Sequence, residues 1–136
     1  MENKRLTELS EFIDKKLQKT RRFNKYTAKL SGTNQDIINS MDDAMRNNFK
    51  EFFKGDLFKI RKCEHCNTTD ESLQYERAHN KGSDRKKVGL NALNRIRSDE
   101  SVEILAKDFL KAFIEEHKFH PVWYLCRPCH LKYDKK

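Results

Sequence analysis

Cys63-Glu-His-Cys66 and Cys126-Arg-Pro-Cys129 each place two thiols three positions apart. That spacing lets one tight turn aim both sulfurs at a single ion. Two such pairs supply the four soft ligands of a closed tetrahedral site, and they use all four cysteines of the chain. Four thiolates leave no open position for water, so the expected metal is a structural zinc whose binding helps to fold the C-terminal half. His65 lies inside the first pair as an alternative ligand, but four sulfurs already complete the shell. Residues 67–125 are far longer than the loop of a simple zinc ribbon, so further structure must be held between the pairs.

Two histidines and a basic run surround these pairs. His79 lies between them, and His130 follows the second at once. Imidazole titrates near neutral pH and suits proton transfer. Residues 77–97 carry Arg77, Lys81, Arg85, Lys86, Lys87, Arg95 and Arg97 against the single acid Asp84. Such a density of charge fits backbone phosphates, with binding that weakens steeply in salt; the alternative is a solvated charge run. The 136-residue chain has 29 basic and 21 acidic residues, a formal net charge of +8. That surplus favours a polyanionic partner, most commonly nucleic acid.

The segments CEHC, ERAHNKG and WYLCRPCHLKYD together resemble the HNH nucleases that carry a four-cysteine zinc site, small restriction and phage enzymes among them. The resemblance covers about residues 60–135. It implies a ββα-metal core, two strands and a helix around one divalent ion, and hydrolysis of DNA phosphodiester bonds. It implies that His79 is the general base acting on water, and that His130 on the closing helix binds the catalytic ion, Mg²⁺ or a similar divalent metal. Arg77, on the strand face of His79, is expected to stabilise the phosphate under attack. Asp134 lies four residues beyond His130, on the same helix face. It is either a second ligand or charge balance for nearby lysines.

The sequence departs from the family pattern twice. Many members carry an Asp just before the first histidine, and here that position is Ala78. Glu76, two residues back on the same strand face, is the candidate replacement; the alternative is an exposed carboxylate paired with Arg or Lys. Where the family has its middle Asn, this chain has His120-Pro121, with Asn91 and Asn94 as more distant substitutes.

These residues need elements to hold them. Leu6, Leu9, Ile13 and Leu17 recur at helical spacing over residues 1–19. Residues 15–29 hold seven basic residues and no acid, interrupted by Phe23 and Tyr26. They are read either as a solvated face with two aromatics plugging the core or as a DNA backbone contact. Helical periodicity resumes over 35–54, with Gly55 as a stop. LFKIRK reads as a short strand into Cys63, and SLQYERAH (72–79) as another. Residues 80–98 read as a long loop with a helical turn. A helix capped by Ser98 or Asp99 is expected over about 100–117, with Val102, Leu105, Phe109 and Phe113 on one stripe. VWYLC reads as a strand and 127–135 as a short helix.

The expectation is an α+β chain: a helical N-terminal region over 1–56 and a zinc-stapled HNH nuclease domain over 57–136. No apolar run approaches the roughly 20 residues of a membrane span. The charged start, MENKRLTELSEF, lacks the apolar stretch of a signal peptide, so a cytoplasmic setting with reduced thiols is expected. DNA is the expected partner. Cutting a palindrome would require a homodimer by symmetry. The competing reading is a catalytically inactive zinc module that binds nucleic acid.

Overall fold

The computed structural model describes residues 2–53, 62–70, 72–79, 84–120 and 122–134. It is a mixed helix-and-strand chain, with helices α1 (Glu2–Lys19), α2 (Asn34–Ser40), α3 (Asp42–Phe52), α4 (Arg85–Ile96), α5 (Ala106–Glu116) and α6 (Arg127–Asp134). Strands β1 (Lys29–Leu30) and β3 (Ile104–Leu105) pair antiparallel, as do β2 (Tyr75–His79) and β4 (Val122–Cys126). Among the described residues no helix is long and apolar enough to cross a membrane.

Helix α1 forms where the periodicity requires it, with Leu9 and Ile13 fully buried. Lys16 in its last turn donates to the Phe52 carbonyl at 2.5 Å and lies over the Phe12 and Phe52 rings. In the basic segment that follows, Phe23 is buried and Arg22 Nε donates to Asn48 Oδ1 at 2.6 Å. Asn48, fully buried, donates in turn to Tyr26 Oη and to the Ala44 carbonyl. The two aromatics therefore anchor this segment to the core, and Lys16 and Arg22 act within the protein.

The single helix expected over 35–54 is two helices. A reciprocal Thr33–Asp36 capping box starts α2, and the chain leaves helical geometry at Met41, whose φ is −100°. Asp42 and Asp43 then occupy the first turn of α3, where acidic side chains favour a helix start. The break lets Ile37, Ile38, Met41, Met45 and Phe52 all reach one core.

The loop expected over 80–98 is corrected: most of it is α4. Asp84 caps this helix by accepting from the Lys87 N–H. The basic side chains masked a buried face of Val88, Gly89, Ala92 and Leu93. Gly89 on this face is a close-approach position. A Cβ there would lie 2.7 Å from Met45 Sδ and 2.9 Å from Ile38 Cδ1. The next helix starts at Ala106, later than expected, because Ile104 and Leu105 pair with β1 first. Asp99 organises a turn instead, accepting from the Ser101 N–H and hydroxyl.

The apolar core crosses the division expected at residue 56. Leu9, Ile13, Phe52 and Phe53 pack in one cluster with Leu93, Phe109, Leu110 and Phe113. A second, smaller cluster holds Cys63, Leu125 and Cys126, with Leu73, Tyr75, Trp123 and Cys129 against it. The strand expected at LFKIRK and the stop at Gly55 lie outside the described residues. Gly89→Val should lower stability by about 1–3 kcal/mol through overpacking against Met45 and Ile38, seen as a lower midpoint in urea with an unchanged slope.

Candidate metal centre and its neighbourhood

The first cysteine pair is a tight turn organised around one sulfur. The Cys63 N–H donates to the Thr68 carbonyl at 3.0 Å, and the Asn67 N–H to the Cys63 carbonyl at 2.9 Å. Asn67 leaves the turn with a φ of 63°, a left-handed conformation that Asn tolerates better than most residues. Backbone N–H groups of His65 and Cys66 point at Cys63 Sγ, at 3.4 and 3.5 Å. The second pair lies where β4 runs into α6, so that Cys126 and Cys129 flank the first turn of a helix. The Arg127 N–H donates to the Gln74 carbonyl at 2.7 Å and ties this corner to the residue before β2.

The four sulfurs lie within 4.8 Å of one another, the one such group of three or more potential ligands among the described residues. Cys66 and Cys126 Sγ are 3.8 Å apart. A tetrahedral metal with bonds of roughly 2.3 Å to sulfur has ligand–ligand edges of roughly 3.8 Å. The donor set and the spacing therefore fit a structural metal site. The ionisation of the thiols is compatible with a bound cation. Burial pushes the Cys63 thiol up, but the backbone N–H groups of Cys66, Cys126 and His65 outweigh it and bring the pKa down to about 6. Burial and the neighbouring sulfurs push Cys129 up to about 12, and burial first of all raises Cys126. One thiolate forms readily; further thiolates beside it require a compensating positive charge.

The strand pair leads from this cluster to His79. Its register runs Tyr75↔Cys126, Glu76↔Leu125, Arg77↔Tyr124, Ala78↔Trp123 and His79↔Val122. His79 thus ends β2 at the pole opposite the cysteines. The side chains of Glu76, Arg77, His79 and Asp134, and the whole of Lys81, lie outside the described residues. Helix α6 packs on both strands, with half-buried His130 in its first turn.

The basic residues expected to meet nucleic acid divide sharply. Lys86 and Lys87 are exposed on the first turn of α4. Arg85 instead grips Asp42 with two hydrogen bonds of 2.8 and 3.2 Å, and its guanidinium holds that carboxyl below the usual range. Arg97 is buried, donating to the Gly32 and Val102 carbonyls and to Asn34 Oδ1. It fastens the end of α4 to the start of α2 and is removed from the surface set. Arg95 is half-exposed and pairs with Glu116 at 2.6 Å.

Glu116 was not singled out by sequence. It is buried at 4% exposure and also meets His120 Nε2 at 3.1 Å. The signal was there as Glu and His four residues apart near the end of a helix, but that spacing is common on exposed faces. Asn94 accepts from Asn34 Nδ2 and serves the α2–α4 contact.

No family model matches this chain, and neither a curated protein nor a solved structure matches it. The purified protein should carry one metal ion per chain by elemental analysis, and Cys126→Ser should lose it. A chelator should lower the melting temperature but keep most of the far-ultraviolet helical signal, because the larger core contains no cysteine. Metal-free protein with an unchanged melting temperature would refute the site.

Proposed function

We propose that this chain is a metal-dependent DNA endonuclease of the HNH type, with zinc at the four cysteines. The observation that carries the reading is the sequence of elements at residues 63–134. A four-thiol cluster closes one end of an antiparallel strand pair, His79 ends the first strand at the other, and a helix bearing His130 follows the second strand and packs on both. Two strands and a helix in this order are what the family resemblance requires. The net charge of +8 and exposed Lys86 and Lys87 fit a phosphate backbone.

In this reading His79 takes a proton from the water that attacks phosphorus. Arg77, two residues earlier on the same strand, neutralises charge that develops on the phosphate. His130 and Asp134 of α6, with Glu76 of β2, are the candidates to hold a divalent cation. Such an ion, when bound, supplies Lewis-acid stabilisation of the leaving 3′ oxygen. The zinc stays structural and holds the strand pair in register.

One observation favours the rival, a zinc module that binds nucleic acid without cutting it: Ala78 stands opposite Trp123, where a metal-binding carboxylate would be expected.

Plasmid incubated with the protein and Mg²⁺ or Mn²⁺ should be nicked or linearised, and His79→Ala should cut at least about 100-fold more slowly. Equal cutting by both proteins sinks the catalytic assignment, and binding without cutting selects the rival. Lys86→Ala and Lys87→Ala should each flatten the dependence of log affinity on log salt by about 0.9 per lost phosphate contact. Arg97→Ala should leave that slope unchanged while costing about 2–3 kcal/mol of stability, from the loss of hydrogen bonds made by a charged group.

A further inference from the structure

Phe119 is the most exposed large apolar side chain among the described residues, at 57%. It is not bare, because the Arg95 guanidinium carbon lies 4.7 Å from its ring centroid. Nor is Arg95 a loose surface arginine. Its Nη2 is 2.6 Å from Glu116 Oε1, and that carboxylate is almost fully buried, with its other oxygen on His120. A buried acid is costly unless it is compensated, and here the Arg95 ion pair supplies the compensating charge beside an exposed aromatic ring. Arg95 also walls a surface depression of about 200 Å³, lined further by Ile96, Ala112, Asp108, Lys111 and Glu115.

The position of this pair matters as much as its form. Phe119 is three residues before Val122, the register partner of His79. Three residues span at most about 10 Å, so the Phe119 backbone lies within about that distance of Val122, the residue paired with His79. Aromatic and guanidinium planes are what nucleobases stack on, because every base has a π face; such contacts are strong and tolerant of sequence. A peptide or lipid partner would call for a broader apolar patch than one ring and a depression with a charged rim.

We propose that the Arg95–Phe119 pair is a stacking site for one unpaired nucleobase of the bound strand. This rests on the nucleic-acid reading above and deepens it: the substrate is held with a base out of the helical stack beside the cleavage site. Phe119 contributes no hydrogen bond, so the site selects for an unpaired base and not for its identity. The cost of unpairing is smallest in single-stranded or mismatched DNA, which makes these the favoured ligands.

The test uses the full metal-loaded chain and a short single-stranded DNA containing 2-aminopurine, with a perfect duplex of the same sequence alongside. Binding is followed by anisotropy, and stacking by 2-aminopurine fluorescence. The native protein should quench the probe in the single strand. Phe119→Ala should weaken binding roughly 5- to 150-fold and abolish the quench, with an unchanged salt slope because no phosphate contact is lost. Phe119→Trp should retain both affinity and quenching, while Phe119→Leu, which keeps an apolar group but no π face, should behave as the Ala variant does. Circular dichroism should be unaltered, since the ring lies outside the core.

Native affinity and quenching in Phe119→Ala and Phe119→Leu would overturn the proposal, whatever the plasmid assay showed. Absence of native binding at low salt would overturn it also. Quenching lost in these variants of a protein that binds but never cuts would uphold the stacking site and reject the nuclease.

Discussion

Four sulfurs within 4.8 Å of one another, with the Cys126 and Cys129 thiols both pushed up by burial, are the constraint on which the small C-terminal core depends. The small core around them contains few large apolar groups: Leu125 is fully buried, and Leu73, Tyr75 and Trp123 are only partly covered. Hydrophobic burial on that scale is a thin basis for an independent unit. A metal changes the balance because its binding free energy is also folding free energy. Bound at this site, it would join Cys63 and Cys66 to Cys126 and Cys129 and so close a long loop. The entropy of closure grows only slowly with loop length, so one ion is enough to hold strands far apart in sequence.

Inside that loop lie both strands of the pair, α4, β3 and α5. Helices α4 and α5 leave the strand pair, enter the larger core beside α1 and α3, and return. The strand pair is therefore not an ordinary hairpin. Its two strands are the two ends of a segment whose middle belongs to another core. This explains why so many charged residues near the site face inward. Arg85 reaches Asp42 and Arg97 reaches Gly32 and Asn34, each from α4 back to the N-terminal elements. They fasten the inserted helices to the body and leave Lys86, Lys87 and the half-exposed Arg95 as outward charge of that stretch.

The cysteine pairs, β2, β4, α1 and α6 were legible because each rests on a short-range rule: ligand spacing, a periodicity of two, or a helical stripe. Helix α4 was not, because its polar face carries Arg85, Lys86, Lys87 and Arg95 while its buried face includes Gly89 and Ala92, residues with little hydrophobic signature. Their smallness is what permits close packing on Met45 and Ile38. The inward use of Arg97 was equally hidden, since a guanidinium bonded to carbonyls leaves no mark in local sequence. His79 and His130 were candidates through the family resemblance alone. The role of Glu116 required three dimensions, because its partners are on α4 and on the approach to β4.

Both ends of β4 are fixed, and this decides where His79 stands. At the far end, Cys126 is part of the thiol cluster. At the near end the chain emerges from the 3₁₀ turn His117–Phe119. His117 is fully buried there among the Phe49, Phe53 and Phe113 rings, and its Nδ1–H donates to the Phe113 carbonyl at 2.9 Å. Glu116 and His120 bracket the same turn. A one-residue slip of an isolated two-stranded pair exchanges its faces at little cost when neither face is deeply buried. Held by the aromatic core at one end and by the four-thiol cluster at the other, β4 resists sliding, and β2 pairs along it in one register. That register places His79 opposite Val122. The histidine's position is thus set jointly by two clusters with different physics, apolar packing at one end and a four-thiol group fit for a metal at the other.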